Sequence, residues 1–246
     1  MKNRKLFESI EWEEKAKVNP LYAVMTQDDI FVDYNADPAT WKPADLEKLR
    51  NKGKLTYDSF IRPVILRANI PHGSTIVEYG SGVGTILDCV RLDGYRVAGI
   101  DISPKMLEYS RIISPEVTEL YPLDETNRSG LPDNCASLVY TRAVMHHIKK
   151  LSSVQAAIKE MARVLNLGGY LKMHFRTMAN VFNCENFSFT VSPLRIMPHT
   201  NWIGVPLSLG KLKGLFKQYR LQYLDREWHN FGKQSFIWVL ARKKYL

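Results

Sequence analysis

The chain has 246 residues, enough for one α/β domain with a sizeable core, or such a domain with a small cap. Its 45% apolar and 24% charged content is that of an ordinary globular protein. No run approaches the roughly 18–20 apolar residues of a membrane span. The net charge of +9 is concentrated at one end: residues 195–246 carry ten Lys/Arg against two Asp/Glu, and residues 1–50 carry eight against ten. A basic end of this kind attracts nucleic acid, an anionic surface or an acidic substrate, or is simply a solvated face. No pattern of strand-borne aromatics suited to RNA accompanies it. Cys89, Cys135 and Cys184 are scattered, without CxxC spacing, so a reducing compartment is expected, with no structural zinc or other metal. The start, MKNRKLFESIEWEEK, turns acidic before any hydrophobic region develops, which is not the pattern of a secretory signal. The cytoplasm is the expected location.

In chain order, residues 1–52 read as a polar, partly helical lead-in, punctuated at Asn19-Pro20, Asp37-Pro38 and Lys42-Pro43. A helix is expected over 53–70, where Tyr57, Phe60, Ile61, Val64 and Ile65 recur at helical spacing. Apolar runs and amphipathic segments then alternate. Strands are expected at Thr75–Tyr79, Arg96–Ile100, Val117–Leu123, Ser137–Thr141 and Tyr170–Phe175. Helices are expected at Thr85–Leu92, after the Ser103-Pro104 cap, and over Leu151–Leu165, the last closed by Asn166-Leu167-Gly168-Gly169. Leu221–Trp228 and Phe236–Ala241 read as a closing hairpin. The pattern predicts a doubly wound α/β fold with a mostly parallel sheet and an antiparallel closing strand. In such sheets ligands bind beyond the carboxyl ends of the strands. Glu78 to Gly84, Asp101, Asp124 and Thr141 to His147 all fall at those ends.

Two features carry the chemistry. The run Val77-Glu78-Tyr79-Gly80-Ser81-Gly82-Val83-Gly84 reads as a buried strand, a glycine turn and a helix start. Its glycines let backbone approach a ligand closely, and its GxGxG spacing differs from the GxGxxG of dinucleotide folds. Glu78 would repel a pyrophosphate, so the turn suits a cationic or hydroxyl-rich ligand. Asp101 lies 21 residues after Gly80, at the end of the second strand, where a carboxylate accepts from both hydroxyls of a ribose. The other reading of Asp101, a helix cap, is already served by Ser103.

VEYGSGVGT, GIDISPKMLEYSR, LPDNCASLVYTRAVMHHI and RVLNLGGYLKM follow one another as in the class I S-adenosylmethionine-dependent methyltransferases. The resemblance is to the small-molecule type with a His-His pair after the fourth strand, and covers about residues 73–176, with the hairpin to 243. It implies a Rossmann-like seven-stranded sheet and S-adenosylmethionine as cofactor. Glu78 would face the glycine loop and the cofactor's cationic end. Gly80, Ser81, Gly82 and Gly84 would touch its methionine and ribose portions. Asp101 would bind the ribose, Ile102 and Met106 would pack the adenine, and Asp124 or Glu125 would accept from its amino group. Thr141 and Arg142 would lie near the methionine part. Arg142 is unusual beside a sulfonium, and the alternatives for it are the cofactor's carboxylate, an anionic substrate or an ion pair with Glu78. Where the family shows an acidic residue before the fourth strand, this chain has Ala136-Ser137.

His146 and His147 are candidate bases, with a pKa near working pH, although adjacent helical residues diverge by about 100° and one of the two would face away. For these two the alternative is a purely structural role, orienting the loop; His174 and His199 are weaker candidates. The methyltransferase domain is expected over 53–246. An aromatic, proline-broken insertion at about 178–215 would bind substrate. The expected activity is methyl transfer to an oxygen, with nitrogen as second choice, of a small molecule or glycan. The rivals are an RNA methyltransferase, a non-catalytic cofactor-binding partner protein and a nicotinamide-dependent oxidoreductase. Oligomeric state is not encoded in any of these features.

Overall fold

Apolar runs of strand length, separated by segments of helical periodicity, build a layered α/β structure. The computed structural model describes residues 7–18, 41–176, 204–205, 207–231 and 234–245. His199 and the expected insertion up to residue 203 lie outside the described residues. Helix α1 is Phe7–Val18 and α2 is Pro43–Thr56, with a proline in its first turn. A π-helical turn, Tyr57–Ile61, joins α2 without a break to α3, Arg62–Arg67, so one helical run crosses position 52/53. Then follow β1 (Thr75–Tyr79), α4 (Thr85–Leu92), β2 (Arg96–Asp101), α5 (Pro104–Ile113), β3 (Leu120–Pro122) and β4 (Ala136–Thr141). A 3-10 turn at Met145–His147 leads to α6 (Leu151–Val164), β5 (Leu165–Arg176), α7 (Leu209–Gln218), β6 (Leu221–Phe231) and β7 (Gln234–Lys243).

The seven strands lie in the order β3-β2-β1-β4-β5-β7-β6. β1 to β5 run parallel; β7 is antiparallel to β5 and to β6. Successive strands therefore proceed outward from β1 in both directions, and the crevice between β1 and β4 is the point of reversal. Both faces are buried, which is why the strands read as continuous apolar runs rather than alternating ones. Val77, Val139, Leu171 and Val239 pack on one side with Ile158 of α6 and Phe216 of α7. Ile76, Leu138, Tyr140, Trp238 and Leu240 pack on the other with Leu87 of α4 and the helical run at Ile61–Ile65.

Three boundaries depart from expectation. The third strand is only Leu120–Pro122, because the predicted start is taken up by a turn in which the Val117 N–H donates to the Ser114 carbonyl; Leu123 still donates to the Asp101 carbonyl beyond the proline. The fifth strand begins at Leu165, directly after α6. The predicted Asn166–Gly169 stop is absorbed into it through an irregularity opposite Ala136 and Leu138. The closing hairpin is longer than predicted at both ends.

Candidate functional site

The glycine turn is held against β2 by its own backbone. The N–H groups of Gly80 and Ser81 both donate to the Ile100 carbonyl, at 2.7 and 3.0 Å. Gly80 has φ +78°, and a Cβ there would lie 2.1 Å from Cγ2 of Val144 on the β4 side. Only glycine lets the two lips of the crevice approach so closely. The Gly82 N–H donates to Asp101 Oδ2 at 2.8 Å, and the Ser103 N–H to Oδ1 at 2.9 Å. Each carboxylate oxygen keeps a lone pair for a further donor. Burial pushes the Asp101 carboxyl up, and those backbone N–H groups oppose it.

Helix α1 extends this network from a part of the chain 90 residues away. Ser103 Oγ donates to Glu13 Oε2 at 2.7 Å, the Lys105 N–H donates to the same oxygen at 3.1 Å, and Ser103 Oγ accepts from the Met106 N–H. Glu13 thereby caps α5, and the relay Glu13–Ser103–Asp101–Gly82 ties α1 to the glycine turn. On the opposite lip, Lys149 donates to Glu11 at 2.8 Å, and the Trp12 ring meets the His147 ring edge-on at 5.2 Å.

Together these elements enclose a cavity of about 1200 Å³, its open mouth included. Of the sequence candidates, Glu78, Gly80, Ser81, Gly82, Asp101, Ile102, Met106 and Arg142 line it. Glu78 is buried and accepts from the Tyr140 hydroxyl at 3.1 Å across the β1–β4 pair. Burial raises its pKa to about 8, against the Tyr140 hydrogen bond and the nearby Arg142 charge. Burial lowers Arg142 and the Glu78 charge opposes that, yet no direct ion pair joins them among the described residues.

The other candidates sit elsewhere. Gly84 begins α4 behind the turn, and Thr141 is wholly buried; neither lines the cavity. Asp124 Oδ1 accepts from the N–H groups of Thr126 and Arg128 and from the Thr126 hydroxyl, so its carboxylate is spent on its own loop. Burial raises it, but these hydrogen bonds and the Arg128 charge prevail and hold it below the usual range. Glu125 is exposed. Leu123 and Asn127, on either side of these two acids, are the residues of this loop that line the cavity. His146 and His147 do not line it. His146 lies among the rings of His147, His174 and Phe236, at centroid distances of 4.0, 5.9 and 5.1 Å, and its carbonyl accepts from the Gly204 N–H. His174 stacks on Phe236 and lies tilted against Trp238. The turn between them presents Val144 and Ile148 to the cavity instead.

Sequence reasoning missed Trp12, Leu49, Gly53, Thr56, Asn127, Val144 and Ile148 as wall residues. Gly53 carried the one usable signal, a glycine within a helical pattern. A Cβ there would come within 2.7 Å of the Thr85 carbonyl oxygen, so the glycine lets α2 press on α4.

The strand order, the glycine turn between β1 and α4, and the acid at the end of β2 define a Rossmann-like methyltransferase architecture. Residues 77–173 match the methyltransferase domain family. A curated relative, malonyl-[acyl-carrier protein] O-methyltransferase of Yersinia pestis, is 29% identical over 107 residues, which is 44% of this chain and 38% of the relative. Magnesium protoporphyrin IX methyltransferase of Synechocystis PCC 6803, solved with bound S-adenosylhomocysteine, superposes with a TM-score of 0.64 at 14% identity. That match covers 96% of this chain and 99% of the other. A methyltransferase from Methanosarcina mazei gives 0.61 at 18% identity, covering 76% and 100%. These two likenesses establish the fold. The cavity fits the cofactor on its own evidence: the buried Ser81 hydroxyl on its wall has no hydrogen-bond partner among the described residues. Among the described residues no three metal-ligating side chains cluster, and no helix is long and apolar enough to cross a membrane.

Proposed function

We propose that this chain transfers the methyl group of S-adenosylmethionine to an oxygen of a small-molecule acceptor. The observation that carries the reading is the cavity at the carboxyl ends of β1, β2 and β4. It sets a buried acid, Glu78, beside a glycine turn and places Asp101 one strand away. The cofactor, when bound, supplies an electrophilic methyl group on a sulfonium. Glu78 would face its cationic end, Asp101 would accept from the ribose hydroxyls, and Ile102 and Met106 would pack against the base. Asn127 replaces Asp124 and Glu125 as the polar group offered to the adenine edge, since its amide both donates and accepts.

The acceptor would enter over β4, where Arg142, Ala143, Val144 and Ile148 form the wall. These residues align the reacting atoms and exclude water, which is most of what an in-line methyl transfer asks of an enzyme. The histidine pair would act by holding the turn that shapes this wall. The similarity to an O-methyltransferase supports oxygen as the acceptor atom. The domain would extend over 53–246, with α1 and α2 contributing to its cofactor site.

Incubation with labelled S-adenosylmethionine and a fractionated cell extract tests the proposal. Label should enter a low-molecular-mass product through an oxygen–methyl bond. Binding of the cofactor with no label transferred to any fraction would favour a partner protein over an enzyme. The RNA alternative draws on the basic end of the chain, although Lys243 there is engaged with the Ala162 and Leu165 carbonyls. Label appearing in RNA, abolished by nuclease and steeply weakened by salt, would favour it.

A further inference from the structure

Arg142 lines the cavity and, among the described residues, has no hydrogen-bond acceptor. It is the first residue after β4, and the next residue, Ala143, has φ +57°, a left-handed conformation that a Cβ disfavours. The Ala143 N–H donates to His174 Nδ1 at 3.4 Å, which helps to hold this turn. The strained turn places the guanidinium on the cavity wall rather than in solvent. Among the described residues its five N–H donors meet no hydrogen-bonding partner, and no carboxylate lies within ion-pair distance. The two acids that share the cavity hydrogen-bond to other groups and not to Arg142: Glu78 to the Tyr140 hydroxyl, Asp101 to the Gly82 and Ser103 N–H groups.

A half-buried guanidinium without an acceptor is costly unless a ligand supplies one, and its flat fork of donors matches a carboxylate bidentately. The neighbouring strand sharpens this. Glu78 pairs in register with Tyr140, two residues before Arg142, so the cavity offers a negative and a positive group on adjacent strands. A ligand satisfying both carries a cation and an anion close together.

We propose that Arg142 is the carboxylate-binding subsite of this cavity, gripping an acid group of the bound molecule through two parallel N–H···O bonds. The proposal rests on the methyltransferase reading above. The carboxylate has two sources with the same chemistry: the amino-acid end of the cofactor, or an acid group on the methyl acceptor.

The test compares wild type with Arg142→Gln and Arg142→Lys, after thermal melting has established that each variant is folded. Calorimetric titration uses S-adenosylhomocysteine and 5′-methylthioadenosine, which lacks the amino-acid end. A second arm transfers label from S-adenosylmethionine into extract and separates products on an anion exchanger. If the cofactor supplies the carboxylate, Arg142→Gln weakens S-adenosylhomocysteine roughly ten- to hundredfold and leaves 5′-methylthioadenosine unchanged, with partial recovery in Arg142→Lys. If the acceptor supplies it, both nucleosides bind unchanged and labelled anionic products disappear selectively. Equal weakening of both nucleosides, or no change in either arm, overturns the proposal while leaving the methyltransferase reading in place. Failure of the wild type to bind S-adenosylhomocysteine overturns that reading itself, and the subsite with it.

Discussion

Glu78 makes the affinity of this protein for its cofactor depend on pH in a calculable way. Without ligand the carboxyl titrates at about 8, raised chiefly by burial. A ligand with a cationic group beside it favours the ionised form. Binding below pH 8 must therefore release a proton, and each pH unit below 8 costs about 1.4 kcal/mol, or tenfold in affinity. Between pH 6 and 7.5 the dissociation constant of S-adenosylhomocysteine should fall by roughly thirtyfold by the same conversion. Higher pH is avoided because the ligand's own amino group then titrates. Glu78→Gln keeps an oxygen for the Tyr140 hydroxyl and removes the titration, so its affinity should be flat over this range and weaker than wild type at pH 7.5. The sign for stability is opposite. The folded pKa lies above the unfolded value, so the folded state holds the extra proton, and the unliganded protein should lose stability as pH rises from about 5 to about 8. Calorimetry in buffers of different ionisation enthalpy counts the protons released. Equal affinity at pH 6 and 7.5 with no proton release would refute placement of the ligand's ammonium group, the one cation of S-adenosylhomocysteine, at Glu78.

Gly53→Ala sets two effects against each other: about 1 kcal/mol gained in helix propensity, and about 1–3 kcal/mol lost to overpacking. The new methyl would meet the Thr85 carbonyl oxygen, carbon and Cβ within 2.9 Å, and backbone cannot swing aside, so overpacking should win. A lower melting temperature and weaker S-adenosylhomocysteine binding are expected; a raised melting temperature would contradict the close α2–α4 contact. Asp101→Ala should cost about 1–3 kcal/mol in S-adenosylhomocysteine binding, and an unchanged dissociation constant would remove its ribose role. Glu160→Ala strips the acceptor from the Ser129 N–H and hydroxyl and from the Arg163 fork, at 2.6–2.8 Å, beneath α6. It should destabilise by about 3 kcal/mol in thermal unfolding with cofactor affinity intact. Burial raises the Glu160 carboxyl but these hydrogen bonds more than offset it, so its contribution should fade as pH falls into the acid range.

Some of the site was legible because it is local. Gly80, Ser81 and Gly82 lie in one strand–turn–helix segment, and Asp101 ends the next strand, so spacing alone placed them together. The loop after β3 was harder. An acid was expected at the adenine edge, but Asp124 turns its carboxylate onto its own backbone and leaves Asn127 to line the cavity. The histidine pair looked catalytic because its position was right. The turn that carries it is pinned by tilted and edge-on ring contacts and by Gly204, and faces Val144 and Ile148 inward instead.

Periodicity determined the fold class, because a parallel sheet with buried faces writes itself into short-range sequence pattern, and the resemblance of the ordered motifs to a methyltransferase family supplied the expected cofactor. The tertiary structure decided which side chains reach the cavity. Trp12, Gly53 and Arg142 come from three elements far apart in the chain, and their meeting depends on how α1 and α2 pack and on one left-handed residue after β4. Contacts of that kind are set by packing across long sequence separations, which no local pattern records.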